Sequence, residues 1–250
     1  MPPGEYEVFP LIRDADKAVR FARSPVSVAD HDIESVSVVL DPQMEFSGRV
    51  TLDGAAPGDR LKESVVLTLL DGLPGKMSDT VVSPKPETGE FVVPHFSSGR
   101  YMPRLDEKVR AAGIYVADMK YGGASVPNSE FVVEKTASPL NIELKSDGGI
   151  VSGTVQDITR LRPFPYATVV LLPEAGRRND YTLYRDATCD AEGKFSFAGV
   201  PPGNYVLIAW QAVTPGAWQN PIFLGRYENR GTAVSVEAAA TKTVQIVAIP

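Results

Sequence analysis

Polar and apolar residues alternate along this chain in short runs, and glycine or proline closes most of them. Val151, Gly153 and Val155 fall on one side of such a run, with Ser152 and Thr154 on the other. Phe195 pairs in the same way with Phe197, Tyr205 with Leu207 and Ala209, and Val234 with Val236. A period of two residues is the signature of a β-strand with one buried face, and antiparallel sheets that cover one face produce it repeatedly. The pattern predicts that Val151, Val155, Val169, Leu171, Phe195, Phe197, Tyr205 and Leu207 point into a shared core. The punctuation is as regular as the strands: Gly203 can take a positive φ, while Pro201 and Pro202 cannot donate to a ladder. No long stripe of period 3.6 is present, and Ala111 to Lys120 has room for one helical turn at most. About seven short strands per hundred residues predict an all-β chain of two-sheet sandwiches.

The strands also repeat at longer range. Gly193-Lys-Phe-Ser-Phe-Ala-Gly-Val-Pro-Pro-Gly-Asn-Tyr-Val-Leu207 reads as strand, tight turn, strand, Gly89-Glu-Phe-Val-Val-Pro-His-Phe-Ser-Ser-Gly-Arg-Tyr101 is a second copy, and Pro2-Pro-Gly-Glu-Tyr6 resembles the end of a third. Independently, Phe46-Ser-Gly-Arg-Val50 matches Val151-Ser-Gly-Thr-Val155. Both landmarks recur at about 100 positions, the size of a whole domain rather than a solenoid turn of 20–50 residues. The expected units are therefore 43–146 and 147–250, with 1–42 as the later half of a preceding unit whose last strand is Val36 to Leu40. Such a half sandwich should be weakly ordered. The joints Asp41-Pro42-Gln43 and Ser146-Asp-Gly-Gly149 are short, which favours a stiff array.

Composition narrows the function classes. The 250 residues are 43% hydrophobic, ordinary for a folded protein. A net charge of -6 disfavours nucleic acid as a partner. No apolar run approaches the roughly 20 residues that span a bilayer, and the polar, turn-like Met1-Pro2-Pro3-Gly4 is not a signal peptide. Cys189 is the single cysteine, so no disulfide forms within the chain and no cysteine metal cage assembles. Asp186 and Asp190 beside it would hold its pKa up, against a reactive thiolate.

The segments Val151-Ser-Gly-Thr-Val155, Ala167-Thr-Val-Val-Leu171, Thr188-Cys-Asp-Ala-Glu-Gly-Lys-Phe195 and Gly199-Val-Pro-Pro-Gly-Asn-Tyr205 resemble the carboxypeptidase regulatory-like domains, relatives of the transthyretin-like and collagen-adhesin B-type sandwiches. The resemblance implies tandem immunoglobulin-like (prealbumin-like) β-sandwiches. Pro215-Gly-Ala-Trp-Gln-Asn-Pro221 and Tyr227-Glu-Asn-Arg-Gly-Thr-Ala-Val234 are further similar to the C-terminal unit of large secreted or envelope proteins of soil bacteria. That implies an extracellular, periplasmic or envelope setting. Collagen-adhesin relatives carry a Lys–Asn crosslink between first and last strands; here Phe46 to Leu52 and Val151 to Asp157 contain no lysine, and no crosslink is expected.

Candidate chemistry is sparse. His31 and His95 fall in different units, which argues against a triad or a shared metal site, and no nucleophile elbow, zincin motif or phosphate loop is present. Asp186, Asp190 and Glu192 do not match a calcium loop, and Asp190 reads better as an Asx-turn. Arg177-Arg178 reads as a solvated turn. No catalytic, cofactor-binding or metal residue is therefore expected, and no cofactor. The sequence points to a non-catalytic spacer or protein-interaction and adhesion module, whose partners are other domains of a parent protein, a surface protein or a polysaccharide. The alternative is a carbohydrate-binding module, using the aromatic segment Trp210, Trp218, Phe223 and Tyr227 to stack on sugars.

Overall fold

Gly48 and Gly153 show why the two sandwiches are built alike. Each lies mid-strand, where a Cβ would stand 2.0 Å from a backbone oxygen, of Leu140 or Val244, with the ring of Phe91 or Phe195 folded over the same spot. The Ser-Gly motif thus lets a first strand sit between a last strand and an aromatic-bearing neighbour. The computed structural model describes residues 1–8, 11–13, 19–21, 24–30, 33, 35–38, 44–61, 65–70, 78–157, 159 and 162–250.

The N-terminal segment holds β1 (Gly4–Val8), β2 (Leu11–Arg13), β3 (Val19–Phe21) and β4 (Ser24–Val28), with β1 paired to β4 and β2 to β3. Val36–Val38 are not a strand, and Leu40, like the joint 41–43, lies outside the described residues, so the expected closing strand is not seen here.

The next ten strands and helices run β5 (Met44–Leu52), β6 (Val65–Leu69), β7 (Ser78–Val82), β8 (Glu90–Phe96), β9 (Gly99–Leu105), α1 (Glu107–Ala111), β10 (Tyr115–Tyr121), β11 (Ala124–Ser125), β12 (Phe131–Val133) and β13 (Leu140–Lys145). They form one sheet in the order β11-β10-β13-β5-β8 and another in the order β12-β9-β6-β7. Phe46 stacks on Phe96 at 4.3 Å and on Phe131 at 5.9 Å, joining the facing sheets through one core. The helical turn precedes the stretch expected to hold it, because Asp106 caps α1 by accepting from Lys108 N at 2.8 Å. The residues after it alternate and form β10 instead.

The remaining chain gives β14 (Gly149–Asp157), β15 (Thr168–Pro173), β16 (Arg185–Thr188), β17 (Lys194–Val200), β18 (Gly203–Trp210), α2 (Pro221–Leu224), β19 (Thr232–Val236) and β20 (Thr241–Ile249). The arrangement follows the first sandwich: β14 runs antiparallel to β17 and parallel to β20, while β18 lies between β15 and β19. Here the two layers meet where β18 touches β20, at Ala209–Ala248 and Trp210–Ile249. All eight residues expected inside lie in this core.

Three tyrosines mark the recurring corner. Tyr6, Tyr101 and Tyr205 each donate their hydroxyl to the carbonyl four residues upstream, Pro2, Ser97 and Pro201, at 2.8, 3.0 and 2.8 Å. Each stands two residues after a glycine that starts its strand, and each pairs in one register with the following partner strand: Gly4–Val28, Gly99–Val133 and Gly203–Val236. Tyr101 and Tyr205 are buried, whereas Tyr6 is only partly covered.

Candidate functional site: the joint between the sandwiches

The joint 146–149 is held from both sides. Asp53, in a turn of the first sandwich, accepts from Ser146 N at 3.0 Å and from Ser146 Oγ at 2.6 Å. Those two hydrogen bonds hold its carboxyl below the usual range. Asp147 accepts the Tyr115 hydroxyl at 3.0 Å through its side chain, and its own carbonyl accepts from Ala239 N at 2.5 Å. Burial, reinforced by this contact with Asp147, pushes Tyr115 up to about 12.

The end of α1 rests on the second sandwich. Gly148 N donates to Gly113 O at 2.8 Å. In β17 one extra residue bulges out, because Ala198 and Gly199 stand opposite Ile150 between the Val151–Phe197 and Gly149–Val200 pairs. Gly199 sits in that bulge at φ 60, and a Cβ there would stand 2.5 Å from Arg110 O and 2.9 Å from Ile114 O. Backbone therefore meets backbone, which only glycine permits. A second contact lies nearby: Ser129 Oγ donates to Asp180 Oδ2 at 3.1 Å and lies 3.3 Å from Thr182 Oγ1.

Between these contacts is a cleft of about 440 Å³, walled by residues from both sandwiches, including Met102, Leu105, Tyr115, Tyr181, Tyr184 and Pro201. Arg110 and Arg185 also line it. Arg185 donates through Nη1 to Thr182 O at 2.5 Å and Tyr184 O at 2.8 Å, and through Nη2 to Gly199 O at 3.3 Å. Burial, followed by the positive charge of Arg110, lowers its pKa to about 10. The sequence located the joint 146–149 and a motif containing Gly199, but it singled out neither Asp53, Arg110, Tyr115, Ser129 nor Arg185. Their partners come from different sandwiches, and no spacing motif links position 110 to 185.

The aromatic segment lies elsewhere, on the outer face of the sheet containing β15 and β18. Trp210 is 1% and Trp218 5% exposed, packed with Val170, Leu172, Ile208 and Leu224. Tyr227 meets Trp210 edge-on at 5.6 Å and Phe223 at 5.0 Å, so these three rings cluster, with Trp218 in the same apolar core. Phe223 and Tyr227 are partly covered, and Asn220 caps α2 by accepting from Ile222 N and Phe223 N. The rings pin the 211–231 connection to the sheet, and neither tryptophan offers a face to solvent.

The other candidates resolve locally. Cys189 is buried, its Sγ donating to Phe164 O at 3.3 Å, and burial raises its pKa, with Asp190 adding to the effect. Asp190 Oδ1 accepts from Glu192 N at 3.0 Å and Lys194 N at 2.7 Å, the Asx-turn expected of it. Arg177 and Arg178 are not a solvated turn. Arg178 pairs with Glu228 and donates to Pro173 O at 3.4 Å, while Arg177 donates to Pro202 O at 3.4 Å. Both therefore tie the hairpin to the sandwich, because its carbonyls and Glu228 lie within reach. His95 is exposed in a bulge of β8, and His31 lies outside the described residues. Among the described residues no three His, Cys, Asp or Glu gather as a metal set, and no helix is long and apolar enough to cross a membrane.

Strand pairing and core define this as a β-sandwich module. Residues 150–248, the second sandwich, match the model of the carboxypeptidase regulatory-like domain, the family its motifs resemble. No curated protein matches the chain in sequence. Among solved structures it is similar to the TIE protein of Bacillus anthracis, at 10% identity and TM-score 0.28, over 97% of this chain and 41% of that one. It is also similar to a streptococcal ancillary pilin, at 15% identity and TM-score 0.28, over 100% and 76% of the two chains. A third is the shaft pilin spaA of Lactobacillus rhamnosus GG, at 9% identity and TM-score 0.29, over 82% and 98%. This chain spans about two fifths of the first of these. The likenesses are distant, and the fold rests on the strand pairing itself.

Proposed function

We propose that this chain is a non-catalytic spacer that carries tension within a larger exported bacterial protein. One observation supports this above all: in each sandwich the first and last strands are hydrogen-bonded neighbours that run parallel. β5 pairs with β13 from Gly48–Leu140 to Leu52–Leu144, and β14 pairs with β20 from Ile150–Thr241 to Asp157–Ala248. Pulling the chain at its two ends drags parallel neighbours in opposite directions. The whole ladder is then sheared at once rather than opened one bond at a time. The short, doubly tied joint passes that force from one sandwich to the next. The units 43–146 and 147–250 belong to this reading, with 1–42 contributing a further tyrosine corner. Burial of Trp210 and Trp218 weighs against the aromatic segment as a sugar platform and in favour of its packing role.

Single-molecule pulling of the full chain from its ends tests the proposal. Two abrupt unfolding events are expected, each releasing roughly 350 Å for about 100 residues extended at 3.3–3.6 Å. The second sandwich should break at the higher force, because its parallel ladder is longer. A gradual extension without discrete events would overturn the proposal.

A further inference from the structure

We propose that the cleft between the two sandwiches binds a small oxyanion, a carboxylate or phosphate group, held by Arg110 and Arg185. Both guanidiniums line the cleft, yet neither has a carboxylate within ion-pair distance among the described residues. The Nε atoms of both are buried and without a hydrogen-bond partner. Arg110 makes no side-chain hydrogen bond at all among the described residues, so its fork of donors is uncommitted, whereas Arg185 is anchored by carbonyls of Thr182, Tyr184 and Gly199. The positive charge of Arg110 acts on Arg185, and such like-charge repulsion without a counter-charge is unfavourable and is relieved by an anion in the shared cleft. The uncommitted Nη donors of Arg110 match the bidentate geometry of carboxylate and phosphate oxygens, and the anchored Arg185 adds a second positive charge.

The acidic groups nearby are otherwise engaged or exposed. Asp106 and Glu107 themselves line the cleft, but Asp106 caps α1 and Glu107 is exposed, while Asp180 accepts from Ser129 and Thr182 and Asp79 pairs with Arg104. The cleft volume of about 440 Å³ suits a small molecule. Tyr115, Tyr181 and Tyr184, with Met102 and Leu105, offer an amphipathic wall for its body. Because the two arginines belong to different sandwiches, an anion bound here would also fasten the joint.

The test is arginine Nε–H correlation NMR on the full chain, titrated with sodium phosphate or sodium acetate at constant ionic strength set by chloride. Saturable shifts of the Arg110 and Arg185 signals are expected, and Arg110→Leu should weaken the remaining Arg185 response at least tenfold. Arg110→Lys, which keeps the charge but loses the fork, should fall between. Tighter binding of phosphate would assign a phosphoryl ligand, and tighter binding of acetate a carboxylate. The backbone spectrum of each variant reports whether it is folded. Shifts that rise linearly without saturation, that chloride reproduces, or that persist undiminished in folded Arg110→Leu or Arg110→Lys would overturn the proposal.

Discussion

The bulge in β8 carries His95, and its counterpart in β17 carries Gly199. Both residues have positive φ, 58 and 60, and both interrupt the ladder to the first strand of their sandwich at the same place. The difference lies in what covers them. The end of α1 from the preceding sandwich rests on Gly199, whereas His95 is exposed. The fold requires the bulge, and the neighbour decides the side chain. The connections after the tyrosine strands diverge in the same way. In the first sandwich residues 106–130 supply the docking helix and the strands β10 and β11, which extend the sheet beyond β13. In the second, residues 211–231 fold back onto their own sheet around Trp210 and Trp218. One connection is turned outward to make a joint and the other inward to cover a face.

The strongest way to break the shared frame is Gly153→Ala, whose Cβ would stand 2.0 Å from Val244 O in the paired last strand. We expect a loss of about 4 kcal/mol or more in chemical denaturation, the range of severe backbone and packing conflicts. A milder loss would show that β14 and β20 can part.

The bulges separate the fold's demand from the joint's. Gly199→Ala adds both a left-handed alanine and a clash with Arg110 O, at about 2–4 kcal/mol together. His95→Gly should change stability by no more than about 1 kcal/mol, since the side chain is exposed and glycine takes the positive φ readily. Similar effects at the two positions would mean that the α1 contact is not formed in solution.

The tyrosine corners compare the same hydrogen bond inside and outside a core. Tyr205→Phe should cost about 1–2 kcal/mol by leaving the Pro201 carbonyl unpaired, and Tyr6→Phe less than about 0.5 kcal/mol, because water replaces the lost partner. Differential denaturation of the two variants measures this directly.

The smallest effect concerns alkali. Tyr115 and Tyr205 both have folded pKa values raised to about 12 from 10, in each case chiefly by burial. Their neutral forms are favoured in the fold, so this contribution is fully present below pH 10 and is lost as pH rises toward 12. Tyr115→Phe should shallow that decline for the joint, as followed by chemical shifts of residues 146–149.

How much of this was legible in the sequence follows from the range of each interaction. Alternation located Phe195, Phe197, Tyr205 and Leu207 in the core, because strand periodicity is local. The Ser-Gly and Gly-x-Tyr landmarks gave the recurrence, because each glycine answers to a fixed neighbour in its own sandwich. The place of the helical turn was missed, since the Asp106 cap outweighed the alternating stretch after it. Arg177 and Arg178 read as solvent-facing because Pro202 and Glu228 are brought to them only by folding. The joint 146–149 was located, but the contacts that hold it were invisible for the same reason. Arg110 and Tyr115 acquire their roles from a second sandwich, and nothing in their local sequence distinguishes them, while Gly199 stands in a recurring motif that does not reveal its contact with α1.

The central claim is that the two sandwiches form one stiff unit through α1, Gly199 and the Asp147 contacts. Residual dipolar couplings measured on the full chain test it most directly. A single alignment tensor should fit residues 44–157 and 162–250 together in the unsubstituted protein, and Gly199→Ala should separate it into two. Two independent tensors without any substitution would contradict the claim.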